Sequence, residues 1–201
     1  MRKDTDVLIV IDVQNDFCPG GNLAVSGGDE IVHVVNRLAY GFKHVVLTQD
    51  WHPKGHLSFA SSHAGKGPFV QIEMPYGPQT LWPDHCIQQT SGSAFHAGLD
   101  IPHAELIVRK GFRHEIDSYS AFFENDRKTP TGLGGYLKER GFTKAVCVGL
   151  AFDFCVRYSA EDAQSLGLET EVIEAACRAI DLNGSADATR KSLAERGIVL
   201  A

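Results

Sequence analysis

Ala145-Val-Cys-Val-Gly-Leu150, followed closely by Cys155-Val-Arg-Tyr-Ser-Ala-Glu-Asp-Ala163, decides the fold. The first run is short, apolar and rich in valine, as a strand buried on both faces must be. The second opens a helical stretch over residues 156–166, with Gly167 just past its end. Cys155 therefore stands where a strand passes into a helix. Backbone N–H groups at such a junction lack intrahelical partners and favour a thiolate. A free cysteine is also a common small core residue, so position alone leaves the two readings balanced.

The same alternation extends outward in both directions. Val7-Leu-Ile-Val-Ile11 is a continuous apolar run suited to a central parallel strand. Residues 44–48, 106–109, 170–173 and 198–200 read as further strands. Residues 29–42 place Ile31, Val34, Val35, Leu38 and Phe42 on one helical face, with Gly41 near the end. Residues 133–140 and 185–196 are the remaining helices. Strands separated by helices imply right-handed crossovers, hence an α/β fold with a parallel sheet and helices on both faces. We expect one domain over residues 1–201. Residues 50–104 break the pattern, with many Gly, Pro, Ser and His and little periodicity. A loop region of that length, just after a strand, is expected to carry function.

Composition narrows the function classes. The chain has 201 residues, 43% hydrophobic and 22% charged, with a formal net charge of -6 and no basic stretch. That balance argues against nucleic acid or an anionic membrane as partner and leaves a small molecule. No apolar run reaches the length of a membrane span, and Val7 to Ile11 is too short for a secretory signal core. The five cysteines show no regular spacing and read as reduced thiols, so a cytoplasmic protein is expected. Oligomeric state is open between monomer and homo-oligomer.

Three constellations carry chemistry. Asp12 ends the first apolar strand, where a carboxylate needs a partner. It is read as a general base, the alternative being an Asp that caps a loop. Lys110 ends the strand of residues 106–109. Alone it would be a surface lysine, since lysines are almost never buried unpaired. Beside Asp12 and Cys155, its ammonium would hold the carboxylate ionised and lower the thiol pKa. The three then form a nucleophile, a base and an orienting group. The third constellation is Asp50-Trp-His52-Pro-Lys-Gly-His56 with Trp82-Pro-Asp-His85-Cys86. Three imidazoles and a carboxylate suit zinc, iron or manganese. The bland alternative is loop packing; His63 and His96 rank lower, and Asp84 and Cys86 flank His85.

With these residues in place, the chain resembles the nicotinamidases of the isochorismatase-like cysteine hydrolase family. The resemblance runs nearly end to end. It rests on Asp12-Val-Gln-Asn-Asp-Phe17, Gln49-Asp-Trp-His-Pro53, His56-Leu-Ser-Phe-Ala-Ser61, Leu81-Trp-Pro-Asp-His-Cys86, Lys110-Gly111, Asp117-Ser-Tyr-Ser-Ala-Phe-Phe123 and Gly149-Leu-Ala-Phe-Asp-Phe-Cys-Val156. It implies a three-layer sandwich with a six-stranded, mainly parallel Rossmann-like sheet, and a catalytic set of Asp12, Lys110 and Cys155. It further implies a divalent metal on Asp50, His52, His56 and His85, and a cis peptide before Ala151. The N–H groups of Ala151 and Cys155 would form an oxyanion hole, and Phe17, Leu23, Trp82 and Tyr119 the wall of a pocket for a flat pyridine ring. The implied reaction is hydrolysis of nicotinamide to nicotinate and ammonia in NAD salvage, with pyrazinamide a further candidate substrate. Phe152 and Phe154 depart from the Thr, and the Tyr or His, that many relatives carry there, which bears on the pocket rim.

Two rivals remain at this stage. One is another metal-containing amidase of the family, acting on a ureido or carbamoyl substrate. The other is a non-catalytic metal-binding or scaffold protein, against which the complete set of Asp12, Lys110 and Cys155 argues.

Overall fold

The computed structural model describes residues 2–201. Strands β1 (Asp6–Ile11), β2 (His44–Asp50), β5 (Leu106–Lys110), β6 (Lys144–Leu150), β7 (Glu169–Arg178) and β8 (Val199–Leu200) form one sheet in the order β5-β2-β1-β6-β7-β8. Each of the five pairings is parallel. The expected α/β fold with a six-stranded sheet is the one observed.

Alternation along the strands splits the core in two. Val7, Ile9 and Ile11 face one side, where α2 (Leu133–Glu139), α3 (Arg157–Ser165) and α4 (Ser185–Glu195) supply Leu133, Leu137, Ala160, Ala163 and Leu193. Leu8 and Val10 face the other side, where α1 (Val32–Ala39) contributes Val32, Val35 and Ala39. A strand apolar on both faces must have both faces covered, and the helices do this.

The chain leaves β1 in one direction along the sheet, to β2 and β5, and in the other through β6, β7 and β8. Its direction of progression therefore reverses between β1 and β6. The carboxyl ends of strands at such a switch point are where open α/β sheets build their sites.

Two local features differ from expectation. The long loop region contains a small antiparallel hairpin, β3 (Gln71–Met74) and β4 (Gly77–Thr80). Strand β7 runs past residue 173 because its register shifts: Cys147 opposes Val172, whereas Gly149 opposes Cys177. The added residues bulge and then re-pair.

Candidate active site

Asp12 lies one residue beyond β1 with φ of 49°, a left-handed conformation uncommon for a residue with a side chain. It is fully buried. Its Oδ1 accepts a hydrogen bond from Thr48 Oγ1 at 2.6 Å, and its amide donates to the same oxygen at 3.2 Å. Its Oδ2 lies 2.8 Å from Lys110 Nζ.

Lys110 is 1% exposed, which removes the surface reading. Register places it opposite Asp50, the last residue of β2. Its ammonium reaches Asp50 Oδ1 at 2.5 Å, the Ser118 carbonyl at 2.9 Å and Cys155 Sγ at 3.4 Å, besides Asp12. Burial opposes the charge, but Asp12 and then Asp50 outweigh it and hold the ammonium pKa well above its ordinary value.

Cys155 sits in one π-helical turn, Phe152–Val156, immediately ahead of α3. The amides of Phe154 and Val156 both donate to the Ala151 carbonyl at 3.1 Å. The Leu150–Ala151 peptide is cis. Gly149, at φ of 122°, lies so close to β1 that a Cβ there would fall 2.0 Å from the Ile11 carbonyl oxygen. Only glycine lets β6 approach β1 in this way and bring Ala151 and Cys155 beside Asp12.

Lys110 does lower the thiol pKa, as expected, but burial and two carboxylates act against it. Burial raises the Cys155 thiol well above its ordinary pKa; Lys110 opposes this, while Asp12 and Asp50 add to it. One ammonium does not outweigh burial and two carboxylates, so the resting group is a thiol. Burial likewise lifts Asp12 to about 6, with Lys110 opposing and Asp50 reinforcing. The pair at rest is a thiol beside a carboxylate.

A second cluster adjoins the first. Ligand atoms of Asp50, His52 and His85 lie within 4.8 Å of one another, all buried. His52 Nδ1 donates to the Gly111 carbonyl at 2.9 Å and His85 Nδ1 to the Pro83 carbonyl at 2.8 Å. Each ring thereby turns an Nε2 lone pair toward Asp50 Oδ2, at 3.6 Å and 3.8 Å. His52 Nε2 has no hydrogen-bond partner although fully buried. A buried acceptor without a donor, backed by a carbonyl on the other ring nitrogen, is how a metal-ligating imidazole is held. Two imidazoles and a carboxylate suit a divalent ion. Burial works against ionisation of Asp50, but the Lys110 ammonium holds its carboxyl well below the usual range.

His56, expected among the ligands, is not brought into this cluster. Its Nδ1 accepts from the Ser58 amide at 3.1 Å, and its Nε2 donates to the Arg113 carbonyl at 2.7 Å. Both nitrogens are spoken for, and the ring packs 4.6 Å from the His52 ring as a support. Burial, and then His52, lower its pKa to about 4.

Beside both clusters opens a narrow cleft, lined by Phe17, Leu23, Trp82 and Tyr119 as expected, together with Asp50, His85, Ala151 and Cys155. The Tyr119 hydroxyl accepts from Trp82 Nε1 at 3.0 Å and Gln79 Nε2 at 2.9 Å. Phe154 stacks edge-on against Trp82 with ring centres 4.8 Å apart, so the departure noted in the sequence lies in the wall itself.

Several contributors escaped the sequence reading. Asp117, buried and lining the cleft, has an oxygen 4.0 Å from His52 Nε2. Its place in the Asp117-Ser-Tyr motif was the available signal. Gln14 clamps the end of β2, donating to the Asp50 carbonyl at 2.9 Å and accepting from its amide at 2.8 Å. Asp16 accepts from the Cys86 amide at 2.7 Å and so ties the His85 loop to the end of β1. Ile180 also lines the cleft.

Comparison with known proteins gives the same placement. Residues 6–201 match the Isochorismatase domain family. The nicotinamidase of Acinetobacter baylyi is 59% identical over 178 residues, covering 89% of this chain and 83% of that protein. The solved nicotinamidase–pyrazinamidase of Acinetobacter baumanii superposes with a TM-score of 0.98 at 54% identity, over 100% of this chain and 97% of that one. The L. infantum protein crystallised with nicotinate gives 0.86 at 37% identity, over 99% and 93%. The pyrazinamidase of Pyrococcus horikoshii solved with zinc gives 0.81 at 31%, over 98% of each chain. A buried thiol between a carboxylate and a lysine at the β1–β6 switch point, and a match over nearly the whole chain, lead to one statement: this chain belongs to the isochorismatase family.

Proposed function

We infer that this chain is a nicotinamidase, hydrolysing nicotinamide to nicotinate and ammonia. The observation that carries this reading is the position of Cys155 Sγ, which joins Asp12 and Lys110 and opens on an aromatic cleft that ends at Asp50 and His85. Four aromatic side chains suit a flat ring, and the cluster at one end suits a ring nitrogen. Relatives named for this reaction support the assignment.

In the proposed mechanism Asp12 accepts the thiol proton as Cys155 Sγ attacks the carboxamide carbon. The N–H groups of Ala151 and Cys155 hold the oxyanion, each such donor being worth about 3 kcal/mol. Asp12 returns the proton to departing ammonia, leaving a thioester. It then takes a proton from water, which attacks the thioester; nicotinate is released and Asp12 passes the proton back to the departing Cys155 sulfur. Lys110 stays charged throughout and fixes Asp12 and Asp50 in position. Asp50, His52 and His85 would hold a divalent ion (zinc, iron or manganese), which would supply a Lewis-acidic point for the ring nitrogen. His56 supports the His52 ring instead of ligating.

Residues 1–201 act as one hydrolase domain in this reading, and the reaction belongs to NAD salvage in the cytoplasm. No helix among the described residues is long and apolar enough to cross a membrane.

The test is ammonia release from nicotinamide, pyrazinamide and benzamide by metal-loaded protein. Nicotinamide and pyrazinamide should be cleaved far faster than benzamide, which has the same amide but no ring nitrogen. Comparable rates for all three would remove the anchoring role, and inert nicotinamide would remove the assignment.

A further inference from the structure

Asp153 lies between two phenylalanines in the turn that carries Cys155, yet it takes no part in the reaction. It is 1% exposed. A carboxylate is costly to bury without partners. Its partners lie on a different segment: the amides of Ile180 and Asp181 donate to it at 3.0 Å and 2.8 Å, and Ser185 Oγ donates at 2.5 Å. Ser185 is the first residue of α4. Asp153 thus gathers the end of the loop after β7 and the start of α4 onto the turn beside the nucleophile.

That segment needs holding. Asp181 and Asn183 both have left-handed backbones, at φ of 56° and 54°. Such conformations in residues with side chains persist only where surrounding contacts impose them. The Asp181 carboxylate in turn accepts from the Ala186 amide at 3.2 Å. The residue this brings to the cleft is Ile180, half-buried, which lines it together with Leu23, Trp82, Tyr119, Phe154 and Cys155.

We propose that Asp153 is a positioning residue that sets substrate size: its carboxylate fixes residues 180–185 to the Cys155 turn and so places Ile180 as the adjustable wall of the cleft. The proposal rests on the nicotinamidase reading for its substrates, but the clamp is defined by the hydrogen bonds alone. Loss of the clamp lets the wall recede and admits a substituent that the wild-type cleft refuses. Asp153→Asn keeps the shape of the side chain but turns an NH2 group toward donors.

The experiment compares wild type, Ile180→Ala, Asp153→Asn and the double variant. For each, kcat/KM is measured on nicotinamide and on the set of ring-methylated nicotinamides. A methyl-sized change of fit in a pocket is worth about tenfold or more. Ile180→Ala should raise the rate on at least one methylated substrate relative to nicotinamide by about tenfold. Asp153→Asn should shift the same ratio in the same direction, and the double variant should go no further than the larger single change, because both act on one wall. A uniform fall on all substrates for Asp153→Asn, with the ratio unmoved, would reduce Asp153 to a structural anchor and overturn the proposal. So would an unmoved ratio in Ile180→Ala, a variant that keeps the buried hydrogen bonds. A second arm needs no substrate: alkylation of Cys155 by N-ethylmaleimide relative to iodoacetamide, read by peptide mass mapping. The bulkier reagent should gain in both variants, and an unchanged ratio would again overturn the proposal. If wild type leaves nicotinamide intact, the nicotinamidase reading fails while this arm still decides the clamp.

Discussion

Gly111→Ala should damage the metal cluster without replacing a ligand. Gly111 follows Lys110 at φ of 65°, and a Cβ there would lie 2.4 Å from His52 Cε1 and 2.7 Å from His52 Nδ1. Ordinary contact begins at 3.4 Å, so something must give by roughly 1 Å. The His52 ring has little room, with the His56 ring 4.6 Å and the Phe59 ring 5.4 Å from it. The backbone conformation costs an alanine about 1 kcal/mol, and overpacking a filled site adds roughly 1–3 kcal/mol. A total of about 2–4 kcal/mol is a large part of the stability of an ordinary domain. Gly197→Ala separates the two contributions, because Gly197 has φ of 71° and nothing within 4 Å of its Cβ. Only the backbone cost should appear there. Movement of His52 should weaken binding of zinc by about 10–100-fold, as loss of an orienting partner commonly does. Competition against a chromophoric chelator reads the affinity, and urea unfolding of the metal-free protein reads the stability. Gly111→Ala with wild-type zinc affinity would refute the placement of His52 in the metal cluster.

Cys155→Ala should lower turnover of nicotinamide by several orders of magnitude while leaving the unfolding midpoint nearly unchanged, and near-normal activity would eliminate the covalent step. Exhaustive chelation should abolish activity, with zinc, iron or manganese restoring it; fully active protein with no bound metal by elemental analysis would exclude the cluster's role. Lys110→Met should remove activity and destabilise the fold by roughly 3–5 kcal/mol, because Asp12 and Asp50 lose the ammonium they share; urea unfolding at neutral pH checks this. Glu171, bonded by Arg2 at 2.7 Å and Lys144 at 2.9 Å, has its carboxyl held down to about 2, chiefly by the Arg2 hydrogen bond. A depressed pKa gives stability that is present above the unfolded value and lost as pH falls toward 2. Glu171→Gln should therefore cost about 1–2 kcal/mol at pH 6, allowing for the partly exposed Arg2, and little at pH 2.5. An equal cost at both pH values would contradict the pairing.

Legibility in the sequence followed burial. Strands β1, β2 and β6 are legible as largely apolar runs because both their faces are covered. The β3–β4 hairpin was hidden because its residues are largely exposed or half-buried and carry little pattern. The second half of β7 was hidden because Glu174 and Ala175 fall at the bulge, where pairing resumes through backbone geometry instead of composition. Residue types at strand ends pointed to Asp12, Lys110 and Cys155, but the sharing of Lys110 between Asp12 and Asp50 depends on the β2–β5 register. His56 shows the opposite limit. Its type and spacing match a ligand, but the direction of its ring is decided by the Ser58 amide and the Arg113 carbonyl. Asp153 and Ile180 meet through a loop 27 residues downstream, a contact that no local pattern encodes.

Asp50 and Asp117 are buried in the lining of the cleft, Asp12 is buried beside Lys110, and among the described residues Lys110 is the one buried ammonium with them. At formal charge these leave a surplus of two negatives, which one divalent ion would balance. A neutral amide then enters an electrically balanced chamber and disturbs nothing. Hydrolysis changes this, because the product leaves as a carboxylate. The new negative charge appears beside the Asp12 carboxylate, in a space where every positive charge already has its partner and little water offsets the repulsion. With such an ion in place, the field that tolerates the substrate would disfavour what it becomes.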